Sequence, residues 1–140
     1  MAIAPFPHHY VVSLDGGLLR ADPRPPMPAG VPPQFGGTDD VWSPEELLVG
    51  AVLLCLKTTF DAYARRDKLE VLSWAGSGTG VLEKSATGPV FTAVNLRVEL
   101  KVPAGDEERG RKLLETAESR CIISNAIKAP VHLEAIVNAG

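Results

Sequence analysis

Two cysteines are the residues of this chain best suited to chemistry. Cys55 and Cys121 are the only thiols among the 140 residues, and they lie 66 positions apart (121 − 55). The reactive form of a cysteine is the thiolate, which oxidation converts to a sulfenic acid or a disulfide. The alternative for each is an unreactive small side chain that packs in the core. In a reducing compartment, a cysteine pair favours redox chemistry over a structural bridge.

The segment around Cys55 predicts an apolar helix that begins at Pro44. Ser43 is a suitable N-cap, proline fits the first helical position, and Glu46 completes a capping box with Ser43. Residues 47–56 carry no charge, and a helix that is apolar on every face is normally buried on all sides. Such surroundings raise the pKa of a thiol, so a reactive Cys55 needs a nearby cation or hydrogen-bond donor.

The rest of the pattern predicts one α+β domain over residues 1–140, in which runs of strands are separated by helices. Its parts are an N-terminal hairpin segment (1–21), a Pro/Gly-rich arm (22–42) and a main part (43–140). The first predicted elements are strands 8–14 and 18–21, a loop 22–40 and the helix from Pro44 to about Arg66. They are followed by strands 69–75, 79–85 and 90–102, a second helix, a helical turn 122–128 and a last strand 131–137. Asp106 is the predicted cap of the second helix, whose inner face holds Leu113, Leu114 and Ala117.

Two turn signals complete this prediction. We interpret Gly76-Ser77-Gly78 as the turn between the first two strands of a three-strand meander, and 87–89 as the next turn. The run 76–80 lacks the lysine and the following helix of a phosphate-binding loop.

Composition excludes several functional classes. The net charge is −3 and the isoelectric point is about 5.6, whereas a nucleic-acid surface is basic and clustered. The charge-free run 47–56 is far shorter than the ~20 residues of a membrane span, and residues 1–7 do not form a signal peptide. No Cys or His spacing matches a metal site. We therefore expect a cytoplasmic protein without a metal or other cofactor and without nucleic-acid or membrane partners.

Two motifs give the chain a family resemblance. Residues 44–48 read PEELL with a cysteine ten positions after Glu45, and residues 121–128 read CIISNAIK. In this order and separation, the two motifs resemble the OsmC/Ohr family of thiol peroxidases over roughly residues 42–137. The second motif departs from the family pattern at one position: the family often has proline directly after its second cysteine, and here the residue is Ile122. The chain also lacks, in residues 13–17, the arginine that the organic-hydroperoxide-resistance branch carries just after its first strand.

The resemblance implies a fold of antiparallel sheets around two central helices, completed by an intertwined homodimer. It implies that Cys55 is the peroxidatic thiol acting on organic hydroperoxides, that Cys121 is the resolving thiol, and that an external dithiol restores both. The apolar helix around Cys55 also favours a homodimer, because one sheet covers only one side of a helix.

The resemblance further implies an acid and an arginine at the site. Glu45 matches the acid that orients the arginine, although a carboxylate in the first helical turn is also favoured by the helix dipole. A straight helix separates Glu45 from Cys55 by ~15 Å. If Glu45 acts at the site, we therefore expect it to act on the Cys55 of a neighbouring subunit. For the arginine, Arg20 is the nearest candidate, with Arg24 and Arg120 as alternatives; a solvated surface position is the plainer interpretation of each.

Two other functions remain open on the sequence. One is a non-enzymatic OsmC-like protein that binds a small molecule or serves in stress, with cysteines that only pack. The other is an acyl-transfer enzyme that uses Cys55, for which no general base is visible. Loss of both free thiols on addition of one equivalent of hydroperoxide separates a peroxidase from these alternatives.

Overall fold

The computed structural model describes residues 3–140. Met1 and Ala2, which begin the predicted segment 1–21, lie outside the described residues. The chain forms two compact units, of which the first ends at Glu45 and the second is Glu46–Gly140. The assignment of a single domain stays a prediction.

The first unit contains a small antiparallel sheet of β1 (Ser13–Asp15), β2 (Leu18–Arg20) and β3 (Met27–Pro28), in that order, followed by a short 3-10 turn (Pro33–Phe35). The predicted hairpin is confirmed, and Gly16 and Gly17 form its turn with φ of 59° and 77°.

Two predictions for this unit were wrong. The first strand is much shorter than 8–14, because its partner β2 stops at Arg20, before the proline-rich segment that cannot supply N–H donors. The predicted loop 22–40 contains β3, whose Pro28 is tolerated because β3 is an edge strand of the sheet.

The second unit is built on α1 (Pro44–Arg66), which has the predicted bounds. The prediction that α1 is buried on all sides was wrong for the single chain. One stripe of the helix, with residues four positions apart, is buried, whereas Leu54 is 64% exposed. The buried stripe consists of Val52, Leu56, Phe60 and Ala64. By length and composition, α1 is also long and apolar enough to cross a membrane. Core helices commonly have the same length and composition, and the buried stripe of α1 belongs to the hydrophobic core.

The main sheet contains β4 (Ser73–Ser85), β5 (Gly88–Val102) and β6 (Val131–Ala139) in that order. β4 pairs antiparallel and β6 parallel with the central β5. The half-buried strand predicted over 90–102 is confirmed, since alternate residues of β5 point into the core. These residues are Val94, Leu96, Val98, Leu100 and Val102.

The predicted three-strand meander was wrong, because 76–78 is not a turn. The glycines lie inside β4, a single strand of 13 residues, and the turn to β5 is at residues 86–87. Gly76, Gly78 and Gly80 share one face. A Cβ at Gly78 would lie 3.0 Å from Val49 Cγ1, and one at Gly80 would lie 2.7 Å from Val49 Cγ2. The glycines therefore let α1 pack directly on the sheet.

Two helices connect β5 to β6: α2 (Glu107–Ser119) and α3 (Ile122–Ala126). The predicted inner face of α2 is confirmed, because Leu113, Leu114 and Ala117 are buried. Asp106 does occupy the N-cap of α2, but its side chain makes no capping hydrogen bond within residues 3–140. Its carboxylate lies 3.4 Å from Arg109 Nη1 instead.

We predict that Gly80→Ala destabilises the protein by about 1–3 kcal/mol, because the new methyl group would overpack the contact between α1 and β4. Its Cβ would also lie 2.8 Å from Phe91 Cε1. Urea unfolding monitored by circular dichroism measures the change. Ser77→Ala is the matched control on the same strand, at an exposed position, and should change stability by less than about 0.5 kcal/mol. Equal stability of the two variants would contradict the close packing.

Candidate functional site

The structure brings the two cysteines together. Cys55 lies near the middle of α1 and is partly buried, whereas Cys121 is fully buried at the N-cap of α3. Both are free thiols, and the Cys121 thiol donates a hydrogen bond to the Cys55 sulfur. Residues 66 positions apart in sequence thus form one site (121 − 55).

The surroundings of Cys55 favour its thiolate. Burial raises the pKa of Cys55, but hydrogen bonds from the Cys121 thiol, the Ile123 N–H, the Thr59 hydroxyl and the Ile122 N–H act against it and leave the pKa below its usual 9.0. The Thr59 oxygen lies 3.9 Å from the sulfur. The sequence requires a cation or a hydrogen-bond donor at this point, and the structure supplies donors.

Main-chain donors reach Cys55 because α3 begins beside it. Cys121 is extended (φ −66°, ψ 121°), and the helix starts at the next residue. The first N–H groups of a helix have no acceptor within that helix, so the N–H groups of Ile122 and Ile123 are available to the sulfur. A proline after Cys121 would have no N–H. Ile122, the departure from the family pattern, therefore adds a donor to the site.

Cys121 has the opposite protonation preference. Burial raises its pKa most, the hydrogen bond to Cys55 and the charge of Cys55 raise it further, and the hydroxyl and N–H of Ser124 lower it, so that the pKa is raised overall. Within the pair, Cys55 is therefore the sulfur that ionises more readily, and Cys121 is the sulfur that holds its proton more firmly. This is the arrangement in which one sulfur attacks and the other stays protonated.

Sequence reasoning missed four of these contacts. Thr59 lies four residues after Cys55 and so on the same helix face, which is a signal that the spacing contained. Ser124 follows Cys121 by three residues. The N–H groups of Ile122 and Ile123 have no sequence signal, because every residue except proline has one.

The predicted acid and arginine lie in the first unit. Glu45 is in the first turn of α1, and its Oε1 is buried without a hydrogen-bond partner among residues 3–140. Arg20 is the last residue of β2 and is partly buried. The Arg120 guanidinium lies 6.0 Å from the centre of the Tyr63 ring. The roles of Glu45 and Arg20 stay predictions. Within residues 3–140, no cluster of three or more His, Cys, Asp or Glu side chains could hold a metal ion.

Fold and site together define the class of the protein. It is a mixed α+β protein in which a central helix and a helix N-terminus hold two thiols in contact. Residues 37–135 match the family described as OsmC-like protein. The chain belongs to the OsmC-like family.

Individual relatives agree with this assignment. The chain is 32% identical over 110 residues to the uncharacterized protein YmaD of Bacillus subtilis, covering 74% of this chain and 72% of that protein. An OsmC-like protein of unknown function from Vibrio cholerae has the same fold, with a TM-score of 0.80 at 20% identity over 94% of this chain and 100% of the other. An organic hydroperoxide resistance protein from Elizabethkingia anophelis, crystallised with bound thiocyanate, gives a TM-score of 0.76 at 18% identity, covering 98% and 100%.

We predict that Ile122→Pro raises the pKa of Cys55, because it removes one main-chain donor. The substitution suits the backbone: the position is the first of α3, the preceding residue is extended, and the Ile122 side chain is 77% exposed. A hydrogen bond to a charged group contributes about 1.5 kcal/mol, so the alkylation rate of Cys55 at neutral pH should fall about tenfold.

The measurement is the pH profile of alkylation by iodoacetamide, in a Cys121→Ser background so that only Cys55 reacts. The profile of Ile122→Pro should move to higher pH. Ile122→Ala keeps the N–H and should retain the parental profile. A shared profile for all three proteins would show that the Ile122 N–H does not stabilise the thiolate.

Proposed function

We propose that the protein is a thiol-dependent peroxidase that reduces organic hydroperoxides through a Cys55–Cys121 cycle. The observation that carries this proposal is the hydrogen bond from the Cys121 thiol to a Cys55 sulfur whose pKa is lowered. A buried packing cysteine has no need of four donors. A peroxidatic cysteine needs them, because its reactive form is an anion in a partly buried site.

The cycle balances with the residues present. The Cys55 thiolate attacks one oxygen of the hydroperoxide, the O–O bond breaks, and the alkoxide leaves as an alcohol after taking a proton from the surroundings. Cys55 becomes a sulfenic acid. Cys121 then attacks the Cys55 sulfur, which forms the disulfide and releases water. An external dithiol reduces the disulfide, and the cycle requires no metal, haem or flavin.

The apolar character of α1 supports an organic substrate. Cys55 lies between Leu54 and Leu56 in a helix that has no charge from residue 47 to residue 56. Burial of an alkyl group from the substrate contributes about 0.8 kcal/mol per CH₂, which hydrogen peroxide cannot gain. The name of the Elizabethkingia anophelis relative, an organic hydroperoxide resistance protein, agrees with this substrate class.

Glu45 and Arg20 are the proposed acid and arginine of the first unit. The buried Oε1 of Glu45 lacks a partner among residues 3–140, and a guanidinium is the donor best matched to a carboxylate. We assign Arg20 as that guanidinium and Glu45 as the acid that orients it. The OsmC/Ohr resemblance implies an acid that orients an arginine, and Arg20, at the end of β2, is the nearest candidate.

We also propose that the protein is a cytoplasmic homodimer. The single chain leaves large apolar side chains exposed in both units, and monomeric proteins rarely expose extended apolar patches. Among them are Tyr10 (87%), Val11 (81%), Leu14 (68%) and Leu54 (64%). A second copy is the commonest cover for such surfaces.

For catalysis, we predict that Cys55→Ser abolishes the consumption of tert-butyl hydroperoxide, because the attacking sulfur is lost. Cys121→Ser should complete about one turnover and stop with Cys55 as a sulfenic or over-oxidised acid. Peroxide consumption with a dithiol reductant, and mass spectrometry after dimedone trapping, measure both outcomes. Full activity of Cys55→Ser would refute the mechanism.

Free-thiol titration of the unaltered protein separates the rival function. A peroxidase loses both thiols together after one equivalent of hydroperoxide. A binding protein with packing cysteines retains them.

For assembly, we predict a dimer that does not dissociate without unfolding, so that its urea midpoint rises with protein concentration. Sedimentation equilibrium across a dilution series gives the mass. Leu54→Asp should weaken the dimer, whereas Ala104→Asp, in the exposed loop after β5, should not. A folded, active species at the single-chain mass of 14.9 kDa, or a midpoint independent of concentration, would contradict the assignment.

A further inference from the structure

Two buried polar atoms without a hydrogen-bond partner belong to the residues three positions before and three positions after Cys121. Glu118 Oε2 and Ser124 Oγ are both shielded from solvent, and neither makes a hydrogen bond of full geometry within residues 3–140. Glu118 lies in the last turn of α2, and Ser124 lies in α3. An unsatisfied buried polar atom costs about 1–3 kcal/mol, so this arrangement is not explained by stability.

The two groups lie together at a cleft. Glu118 and Ser124 both line a cavity of about 480 Å³ at the junction of α2, α3 and the start of β6. The other charged groups in its wall are Glu115 and Lys128.

The Ser124 hydroxyl connects the acid to the thiol. It is close enough to lower the pKa of Cys121 and also that of Glu118, although it reaches full hydrogen-bond geometry with neither in the reduced protein. A hydroxyl both donates and accepts. It can therefore take a proton from one neighbour while giving its own to the other.

The second step of the proposed cycle needs a group that takes the proton from Cys121 before it reaches the leaving hydroxide. Cys121 holds its proton more firmly than Cys55 does, and the hydrogen bond that this proton makes favours the ionised form of Cys55. After Cys55 has become a sulfenic acid, Cys121 must lose that proton before its sulfur can attack. A fully buried thiol cannot pass the proton to bulk water directly.

We propose that Glu118 accepts the proton of Cys121 through the hydroxyl of Ser124 during disulfide formation. The inference rests on the proposed function, since it concerns the second step of that cycle. The Cys121 S–H bond breaks, Ser124 passes a proton to the Glu118 carboxylate, and the Cys121 sulfur attacks the Cys55 sulfur. The S–O bond of the sulfenic acid breaks, and the leaving hydroxide becomes water with the proton that Glu118 releases.

The surroundings of Glu118 suit a proton acceptor. Burial raises the pKa of the Glu118 carboxyl, and the contact with Ser124 offsets only part of that effect. A carboxylate with a raised pKa is a better base near neutral pH. Lys128 and Glu115 are the other charged side chains that line the same cleft.

The role of Glu118 determines how the rate of disulfide formation changes with pH. Below the pKa of Glu118 the carboxyl is already protonated, so disulfide formation is slow, and its rate rises with pH as Glu118 ionises. At still higher pH Cys121 ionises without help. The advantage given by Glu118 therefore disappears as the pH approaches the pKa of Cys121.

The test measures the two chemical steps separately by rapid quench with tert-butyl hydroperoxide. Dimedone trapping follows the sulfenic acid, and intact mass follows the disulfide. Glu118→Gln should form the sulfenic acid at the unaltered rate but close the disulfide about tenfold or more slowly at neutral pH, without the rise in rate at low pH. Ser124→Ala should slow the same step. Glu115→Gln, one turn earlier on α2, is the matched control and should behave like the unaltered protein.

The outcomes separate the inference from the function it rests on. If the unaltered protein forms neither sulfenic acid nor disulfide, the proposed function fails. If it forms both and Glu118→Gln closes the disulfide at the same rate with the same pH profile, the role of Glu118 is overturned. If Glu118→Gln does not fold, the pH dependence of disulfide formation in the unaltered protein is the test. A rate of disulfide formation that does not change with pH below neutrality overturns the proposal. Partial recovery of the rate by Glu118→Asp supports it.

Discussion

The hydrogen bond between the two thiols is the interaction on which the chemistry of the site depends. It gives two chemically identical side chains opposite pKa shifts, lowered at Cys55 and raised at Cys121. This difference needs two different environments within one contact: a partly buried sulfur that receives several donors, and a fully buried sulfur that receives fewer. The fold supplies them by placing Cys55 inside a long helix and Cys121 at the start of a short one, where N–H groups are free.

That contact in turn depends on how closely α1 packs on the main sheet. Three glycines on one face of β4 remove the side chains that would hold the helix away, and Val49 and Leu53 occupy the space. The buried residues of β5 lie beside these glycines on the same face of the sheet. Cys121 lies between α2 and α3, and these two helices connect β5 to β6. The position of the sheet relative to α1 therefore also sets the position of Cys121 relative to Cys55.

The sequence predicts long elements well and short or unusual ones poorly. The bounds of α1 follow from its capping residues and apolar run, and β5 follows from strict alternation. Gly76-Ser77-Gly78 misled the prediction because glycine marks turns locally, whereas here it serves contact with a distant helix. The short first strand depends on the length of its partner, which lies outside any local window. In the site, the two cysteines are visible in the sequence, but their contact and the donors of α3 arise only from the tertiary structure.

The same reasoning explains why an isoleucine is compatible with a position where the family often has proline. Proline would preset the backbone at the start of α3, and the extended conformation of Cys121 shows that the chain reaches this geometry without it. What isoleucine adds is an N–H aimed at the Cys55 sulfur. A thiolate in a low-dielectric site gains more from one such donor than it would in water. Substitution at this single position would therefore change the pKa of Cys55 through the main chain, with no new side chain entering the site.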